Sequence, residues 1–390
     1  MAMWWAQKNQ LDRFQIELIE ELELAQDYLV LGPPGSGKTN VLLRRAQFTR
    51  GQGMPNVLVL TFTRSLTEFL KTGCVNSAGA EIFPVNCITT FESWVRELYR
   101  VHGATLPTEG AYLDNKRQIA STALEFLSSR KIPKYDVLFV DEAQDLTAEE
   151  VALVNGWAEV TFFAGDDNQR IYEHGEGITA LRAMSSPPIE KSLPFHYRLA
   201  REICEMASRI REQNPVHSLS ATSYYDGPKP GRIRAHKEED RDAQLATLKI
   251  NLATQLRVYA DLIAGGDKLG VVVRRKEDRV TVLNALEEDD DLAGLAQIVR
   301  ARSGDDGEDY DPTLDPSKPI LILTEHGCKG LEFRAVHWLF VDENNWYRTD
   351  EQTYTVVTRA KTTIDLYHKT SLPQTLARAH AEKKPDLWEA

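Results

Sequence analysis

Cysteine and long apolar runs are both scarce in this chain of 390 residues. Its four cysteines form no CxxC pair and have no histidine at ligand spacing, so we expect reduced thiols and neither a disulfide framework nor a zinc site. No apolar run approaches the roughly 20 residues of a membrane span, and residues 1–14 lack the basic-then-apolar order of a signal peptide. These absences favour a cytoplasmic protein without a membrane segment.

Positive charge is also in deficit, with 46 basic against 58 acidic residues and a net charge of −12. A protein that wraps nucleic acid through a broad surface is usually basic, so this balance argues against a large footprint of that kind. A narrow groove with local positive charge stays compatible with it. The acid is concentrated at residues 287–291 and 305–311, which predicts two solvated stretches.

Short apolar runs rich in β-formers alternate with helical patterns along most of the chain. This alternation predicts an α/β fold of parallel sheets covered by helices. Helices are expected over residues 39–48 and 114–130. The strands that we predict are residues 28–31, 57–60, 137–140, 160–164, 270–273, 320–323, 336–341 and 363–366.

The proline-containing stretch at residues 187–191 marks a domain boundary. We therefore expect a first domain over residues 1–188, a second over 189–376 and a C-terminal tail over 377–390. The segment 303–319 is rich in Asp, Gly and Pro and is predicted to be a loop. Residues 371–390 are compatible with a solvated helix or with a docking segment.

A glycine-rich run follows the first predicted strand and opens a predicted helix. It reads Gly32-Pro33-Pro34-Gly35-Ser36-Gly37-Lys38-Thr39. Glycines allow consecutive backbone N–H groups to face a phosphate, and the helix N-terminus adds its positive dipole end. In such a loop Lys38 reaches the β- and γ-phosphates, and the Thr39 hydroxyl binds Mg²⁺.

Two carboxylates, Asp141 and Glu142, follow the apolar run at residues 137–140. Acidic pairs after strands are common, but this one is preceded by a phosphate-binding loop. We predict that Asp141 holds Mg²⁺ and that Glu142 orients and activates the attacking water. The sequence thus predicts an ATPase that uses ATP and Mg²⁺.

Four further motifs occur in order along the chain. They read Asp141-Glu142-Ala143-Gln144-Asp145, Gly165-Asp166-Asp167-Asn168-Gln169-Arg170-Ile171-Tyr172, Thr324-Glu325-His326-Gly327-Cys328-Lys329-Gly330-Leu331-Glu332-Phe333 and Val357-Thr358-Arg359-Ala360-Lys361. With the phosphate loop, this series resembles the superfamily 1 helicases of the UvrD/Rep/PcrA type from about Gln15 to about Tyr367. The resemblance implies two RecA-like parallel-sheet domains with the ATP site in the cleft between them.

The resemblance also implies roles at matching positions. Gln169 would sense the γ-phosphate, Arg198 and Arg359 would act as arginine fingers, and these join Lys38 and Glu142 as catalytic residues. The residues that would bind the nucleotide are Gln15 at the adenine, Gly32, Pro33, Pro34, Gly35, Ser36, Gly37, Lys38, Thr39, Asn40, Tyr197 stacked on the base, Arg198, Glu332 at the ribose, and Arg359.

A groove for single-stranded nucleic acid is implied in the same way. Hydroxyls there would bind phosphates and aromatic rings would stack on bases. The implied groove residues are Phe62, Thr63, Arg64, Thr90, Phe91, His174, Thr324 and His326. For Phe62 and Phe91 an ordinary core position is the alternative.

Some features depart from the family pattern. Residues 173–176 read Glu-His-Gly-Glu where the family has Gly-Trp-Arg-Gly, and Asn40 stands where an arginine is common. The two glutamates would repel phosphate if they face the groove, and a solvated turn is the alternative. Only 47 residues separate Ser93 from Asp141 and 125 separate Arg198 from Thr324, so we expect both accessory subdomains of the family to be absent or vestigial.

Two functions follow. The first is an ATP-dependent translocase or DNA helicase on single-stranded DNA, with 3′ to 5′ movement implied by the resemblance and RNA as a less favoured track. The second is a nucleotide-operated switch or ATPase subunit of a repair or defence complex that gates a protein partner such as a nuclease or an effector. The small size, the acidic charge and the altered run at residues 173–176 favour the second.

Overall fold

A computed structural model describes residues 8–75, 80–107, 112–130, 132–167, 176–211, 219–299, 314–315, 317–343 and 348–381. The chain forms two compact units, of which the first ends at Phe195 and the second begins at His196. This division lies beyond the residue 188 expected from the sequence, because the strand Ile189–Ser192 pairs within the first sheet. Likewise, the helix Gln374–His380 crosses the expected start of the tail and buries Leu376 and Ala379 in the second unit.

The first unit contains one parallel sheet with helices between its strands. Its strands are β1 Tyr28–Leu31, β2 Val57–Thr61, β3 Ile88–Thr90, β4 Tyr135–Val140, β5 Ala158–Gly165 and β6 Ile189–Ser192. Its α-helices are α1 Arg13–Ile16, α2 Lys38–Gly51, α3 Arg64–Thr72, α4 Phe91–Val101, α5 Tyr112–Ser129, α6 Ala148–Gly156 and α7 Gly177–Arg182.

The strand order is β3-β2-β4-β5-β1-β6, and every described pairing is parallel. Successive residues of a strand face opposite sides of a sheet. In β1, Val30 accordingly packs with α2 and α3, whereas Leu29 packs with α4, α5 and α6. Helices therefore cover both faces, as the apolar central strands predict.

The second unit repeats this architecture. Its strands are β7 Arg232–Lys237, β8 Leu269–Val273, β9 Ala296–Ile298, β10 Ile320–Thr324, β11 Phe333–Trp338 and β12 Ala360–His368. Its α-helices are α8 Arg201–Ile210, α9 Arg241–Val258, α10 Ala260–Ala264, α11 Lys276–Glu287, α12 Asp350–Val357 and α13 Gln374–His380. The strand order is β7-β12-β11-β8-β10-β9, again with parallel described pairings.

The predicted α/β fold with two parallel sheets is confirmed. Between Ser93 and Asp141 the described residues hold only the rest of α4, then α5 and β4. Between Arg198 and Thr324 they hold elements of the second unit itself, so no accessory subdomain occurs in the part of the chain that is described. None of the described helices is long and apolar enough to cross a membrane.

Candidate nucleotide site

The phosphate loop lies between β1 and α2, where the sequence places it. Gly35 and Gly37 have φ angles of 79° and 85°, in the left-handed region that glycine adopts most readily. Gly37 is the N-cap of the 14-residue helix α2. Lys38 Nζ donates hydrogen bonds to the carbonyl oxygens of Gly32 at 2.7 Å and Pro33 at 3.1 Å. The lysine ammonium is thus held against the predicted phosphate loop.

Gln15 packs directly against this loop. Its Nε2 donates to the carbonyl oxygen of Ser36 at 2.9 Å, and its Oε1 accepts from the Asp12 backbone N–H at 3.1 Å. The same residue completes a capping box with Asp12 at the start of α1, and it is buried. A Cβ at Gly37 would meet the Gln15 amide at 2.6 Å, so a glycine is needed there for this contact.

Thr39 and Asp141 meet at the ends of α2 and β4 although 102 positions separate them in the chain. Thr39 Oγ1 donates to Asp141 Oδ2 at 2.7 Å. Burial, reinforced by the charge of Glu142, raises the pKa of Asp141 to about 6. A buried carboxylate with a raised pKa beside a hydroxyl is an arrangement that a divalent cation would stabilise, because both groups are hard oxygen ligands.

Glu142 follows in a left-handed conformation with φ of 53°, which is uncommon for a residue other than glycine. Its backbone N–H donates to Asp141 Oδ1 at 2.9 Å. Its carboxylate accepts from Gln144 Nε2 at 2.6 Å. Strained backbone of this kind costs about 1–3 kcal/mol and clusters at functional sites. The turn brings both carboxylates to the same end of the sheet as the phosphate loop.

These residues of the first unit fit a Mg²⁺–nucleoside triphosphate. Ser36 Oγ and Asn40 Oδ1 are buried without a hydrogen-bond partner at the N-terminal end of α2, where phosphate groups bind. Thr39 and Asp141 would supply two protein oxygens to Mg²⁺, which usually keeps phosphate oxygens and water as its other ligands. No cluster of three or more metal-binding side chains occurs among the described residues, so a cage made by the protein alone is not found there.

In the second unit, Arg198 and Glu332 form an ion pair. Arg198 donates to Glu332 Oε2 at 3.0 Å and to the Thr358 carbonyl oxygen at 3.0 Å. Glu332 also contacts Lys361 Nζ at 2.7 Å. Burial raises the pKa of Glu332, but the charges of Lys361 and Arg198 outweigh this and lower it to about 2. Glu332 is therefore held as a carboxylate between two cations.

Arg359 lies beside Arg198 but is more deeply buried, with 3% of its surface exposed. Its guanidinium donates to the carbonyl oxygens of Thr355 at 3.2 Å and Leu331 at 3.3 Å. These bonds tie the C-terminal end of α12 to the segment before β11. Tyr197 is partly exposed, and its ring stacks on Tyr224 with centroids 6.1 Å apart. The second unit thus brings together Arg198, Glu332 and Arg359 around Thr358.

The residues predicted for the nucleic-acid groove have mixed positions in the first unit. Phe62 is partly buried, and Lys116 Nζ lies 5.4 Å from the centre of its ring. Thr63 is the N-cap of α3, whose first residue is Arg64. Thr90 caps α4 in the same way by accepting from the Ser93 N–H at 3.1 Å. These two threonines therefore have a capping role already.

Phe91 belongs to the apolar core. It is 6% exposed and packs edge-to-face on Trp94 with centroids 5.5 Å apart. The core alternative stated for this residue describes its position. In the second unit, Thr324 Oγ1 accepts from the Gly327 N–H at 3.0 Å and His326 is exposed. Gln169 and His174 lie outside the described residues.

Three contacting residues were not predicted from the sequence. Gln144 hydrogen-bonds Glu142, Lys361 pairs with Glu332, and Lys116 pairs with Glu150 at 2.8 Å. Gln144 and Lys361 stand inside quoted motifs, so their proximity to Glu142 and Arg359 in the chain was an available signal. Lys116 carried no such signal, because it approaches its partners through the packing of α5 on α6.

A parallel sheet with a phosphate loop after β1 and a buried Asp-Glu pair after β4 defines a P-loop nucleoside triphosphatase. Residues 15–175 match the family model of the AAA domain. A DNA replication ATP-dependent helicase/nuclease, JHS1 of Arabidopsis thaliana, is 26% identical over 222 residues. Together with the ordered motifs of both units, these matches support the resemblance to superfamily 1 helicases.

The extent of each match is limited. The JHS1 alignment covers 53% of this chain but only 16% of that protein. The C-terminal domain of a possible DNA helicase from Lactobacillus plantarum has 18% identity and a TM-score of 0.32, covering 47% of this chain and 93% of that one. The PRRSV helicase has 13% identity and a TM-score of 0.43, covering 90% and 55%. Because both scores are low, the fold assignment depends on the two sheets themselves.

Proposed function

We propose that this chain hydrolyses ATP and uses the energy to move 3′ to 5′ along single-stranded DNA. The observation that carries the proposal is the contact between Thr39 and Asp141 at 2.7 Å, directly beside Glu142 and the phosphate loop. The contact joins the two halves of a phosphoryl-transfer site that are far apart in the sequence. Movement and its direction come from the resemblance to superfamily 1 helicases.

Each residue of the first unit has a part in the proposed reaction. Backbone N–H groups of the loop and the Lys38 ammonium bind the phosphates, and Thr39 with Asp141 would hold Mg²⁺. That ion would neutralise charge on the phosphate oxygens. Glu142, fixed by its turn and by Gln144, orients water for attack. Arg198 is the guanidinium that we assign to the charge of the transferring phosphoryl group.

A nucleotide-operated switch remains the second candidate, and one observation favours it. The described residues between Ser93 and Asp141 add no subdomain to the first unit, so the described part of that interval lacks the duplex-engaging parts of larger family members. The partner in this case would be a nuclease or an effector. The matched relative is itself named a helicase/nuclease, which is consistent with such a pairing.

The test measures ATPase rate with and without single-stranded DNA, beside translocation and unwinding of a duplex with a 3′ overhang. Stimulation by DNA with directional translocation supports the motor. A rate that DNA does not change, but that a protein partner does, favours the switch. Stimulation by RNA alone would mean that the protein moves along RNA instead of DNA. If the wild-type protein hydrolysed ATP no faster than Lys38→Ala, both candidate functions would be refuted.

A further inference from the structure

Gln144 occupies a position between the proposed water-activating carboxylate and the end of β5. It belongs to a short 3₁₀ helix, Ala143–Asp145, that starts directly after Glu142. Only 1% of its surface is exposed. A buried amide must satisfy both its oxygen and its nitrogen, because an unmade hydrogen bond there is costly. Both ends of the Gln144 side chain have a partner.

The nitrogen end faces the site. Gln144 Nε2 donates to Glu142 Oε2 at 2.6 Å, a short bond of the kind that a charged acceptor makes. This contact fixes one carboxylate oxygen of Glu142. The other oxygen is thereby given a defined orientation, which is what a group that positions water requires.

The oxygen end faces the strand. Gln144 Oε1 accepts from the backbone N–H of Asp166 at 3.0 Å. The preceding residue, Gly165, accepts at its carbonyl oxygen from the N–H of Gly32, the first residue of the phosphate loop. A Cβ at Gly165 would lie 3.0 Å from Gln144 Oε1, which is tighter than most such contacts, so the glycine leaves space for the amide.

We propose that Gln144 is a positioning residue that locks the Glu142 carboxylate to the end of β5 and, through Gly165, to the phosphate loop. The proposal rests on the proposed ATPase function. Its consequence is that Gln144 contributes to turnover and not to nucleotide affinity. A displacement at the end of β5 would therefore be transmitted to the Glu142 carboxylate through the Gln144 side chain.

Two substitutions distinguish the roles of the two hydrogen bonds made by the Gln144 amide. Gln144→Leu removes both hydrogen bonds. Gln144→Glu keeps an acceptor for the Asp166 N–H but places a second carboxylate against Glu142. We expect both variants to lose about tenfold or more in kcat, with KM and nucleotide affinity within about threefold of wild type. If Gln144→Glu turned over as fast as wild type, the contact with Glu142 would have no part in catalysis.

A double-mutant cycle supplies the readout that a purely structural role would not move. Because Gln144 acts through Glu142, adding Gln144→Leu to Glu142→Gln should slow the residual hydrolysis no further. Additive losses would overturn the proposal. The matched control is Gln47→Leu, since Gln47 likewise accepts from Arg44 and donates to the Gly73 carbonyl, but outside the site. It should keep the wild-type kcat.

Failure of this inference differs from failure of the proposed function. A wild-type chain that hydrolyses ATP, loses turnover in Glu142→Gln and keeps full kcat in Gln144→Leu would refute only the role of Gln144. A wild-type chain with no ATPase would refute the function on which that role depends. Melting temperatures of all variants, measured beside kcat, identify any loss of rate that comes from unfolding.

Discussion

At the scale of single residues, Lys38 and Glu142 have separable parts in the proposed reaction. Glu142→Gln keeps the shape of the side chain but removes the charge that orients water. We expect it to bind ATP normally and to lose at least about 100-fold in kcat. Lys38→Ala should lose affinity as well, because the phosphate contact is deleted.

Nucleotide affinity from a fluorescent analogue, measured beside phosphate release, distinguishes these outcomes. Glu149→Gln is the matched control, since Glu149 lies nearby on α6 and pairs with Arg117. It should behave as wild type. Near-normal turnover in Glu142→Gln would mean that another group positions the water.

Gln15 allows a second prediction at this scale. The resemblance implies that it reads adenine, whereas the structure gives its amide contacts to the Ser36 carbonyl and the Asp12 N–H. If these contacts order the loop, Gln15→Ala should raise KM for ATP and for GTP by similar factors of about ten. Gln26→Ala is the control. A loss confined to ATP would assign base reading to Gln15.

The site shows what a motif can and cannot predict. The loop glycines, Thr39 and Asp141 were predictable because phosphate chemistry requires those residue types at that spacing. The hydrogen bond from Gln144 to Glu142 was not, since it depends on the φ of 53° at Glu142, which no residue preference indicates. The burial of Phe91 was also open, because one aromatic residue suits a groove or a core.

At the scale of elements, every central strand was predicted and the four edge strands were not. Strands β3 and β6 border the first sheet, and β7 and β9 border the second. An edge strand has one neighbour and less cover, so it lacks an apolar run: β6 reads Ile-Glu-Lys-Ser and β7 reads Arg-Ile-Arg-Ala-His-Lys. In β6 this polarity led to the expected domain boundary being placed too early.

The contact between α7 and the 3₁₀ helix Ala143–Asp145 gives a prediction at this scale. A Cβ at Gly177 would lie 1.9 Å from the Ala143 carbonyl oxygen. Gly177→Ala should therefore displace this helix, cost about 1–3 kcal/mol of stability and lower kcat through Glu142. Gly51→Ala, where an added Cβ meets nothing within 4 Å, is the control. Urea unfolding and the ATPase rate are measured for both variants. If Gly177→Ala kept the stability and kcat of the wild type, the packing described would be contradicted.

A buried polar cluster joins β7, β11, β12 and α9. Asp365 accepts from Arg234 and His236 at 2.8 Å and from Gln255 at 2.9 Å. Burial lowers the pKa of His337 from 6.5 to about 4 despite the nearby Asp365. Burial raises the pKa of Asp365, but the His236 hydrogen bond and neighbouring charges outweigh it and lower the pKa from 3.8 to about 2.

Both shifts predict that the second unit loses stability in acid. Below pH 6.5 His337 is protonated in the unfolded chain but stays neutral in the folded chain until about pH 4, so the free energy of unfolding falls with pH over this range. Asp365 lowers the free energy of unfolding further between pH 3.8 and about 2, because it is protonated first in the unfolded chain. Urea midpoints followed by tryptophan fluorescence should fall from pH 7 to pH 5. His337→Gln should reduce that fall, and an equal fall in this variant would assign the loss to other groups.

At the scale of the whole molecule, the resemblance to superfamily 1 helicases assigns residues of both units to the proposed reaction. Each unit has a sheet with its own cores, and Arg198 belongs to the second unit. Arg198→Ala should lower kcat by about 1,000-fold, the order found for such arginines, while nucleotide still binds the first unit. Arg201→Ala, which removes an exposed arginine three residues on, should have no effect. If Arg198→Ala turned over ATP at the wild-type rate, we would conclude that catalysis depends on residues of the first unit alone.

The polar edge strands have a consequence for assembly. Open parallel sheets can be lengthened by a strand from another chain, and charges on an edge strand oppose such pairing. Glu190 is exposed on β6, and β7 carries Arg232, Arg234 and Lys237. The charges on β6 and β7 thus disfavour β-mediated self-association at one edge of each sheet. The charged residues that make β6 and β7 hard to predict from the sequence thus also protect these two edges from pairing with a strand of another chain.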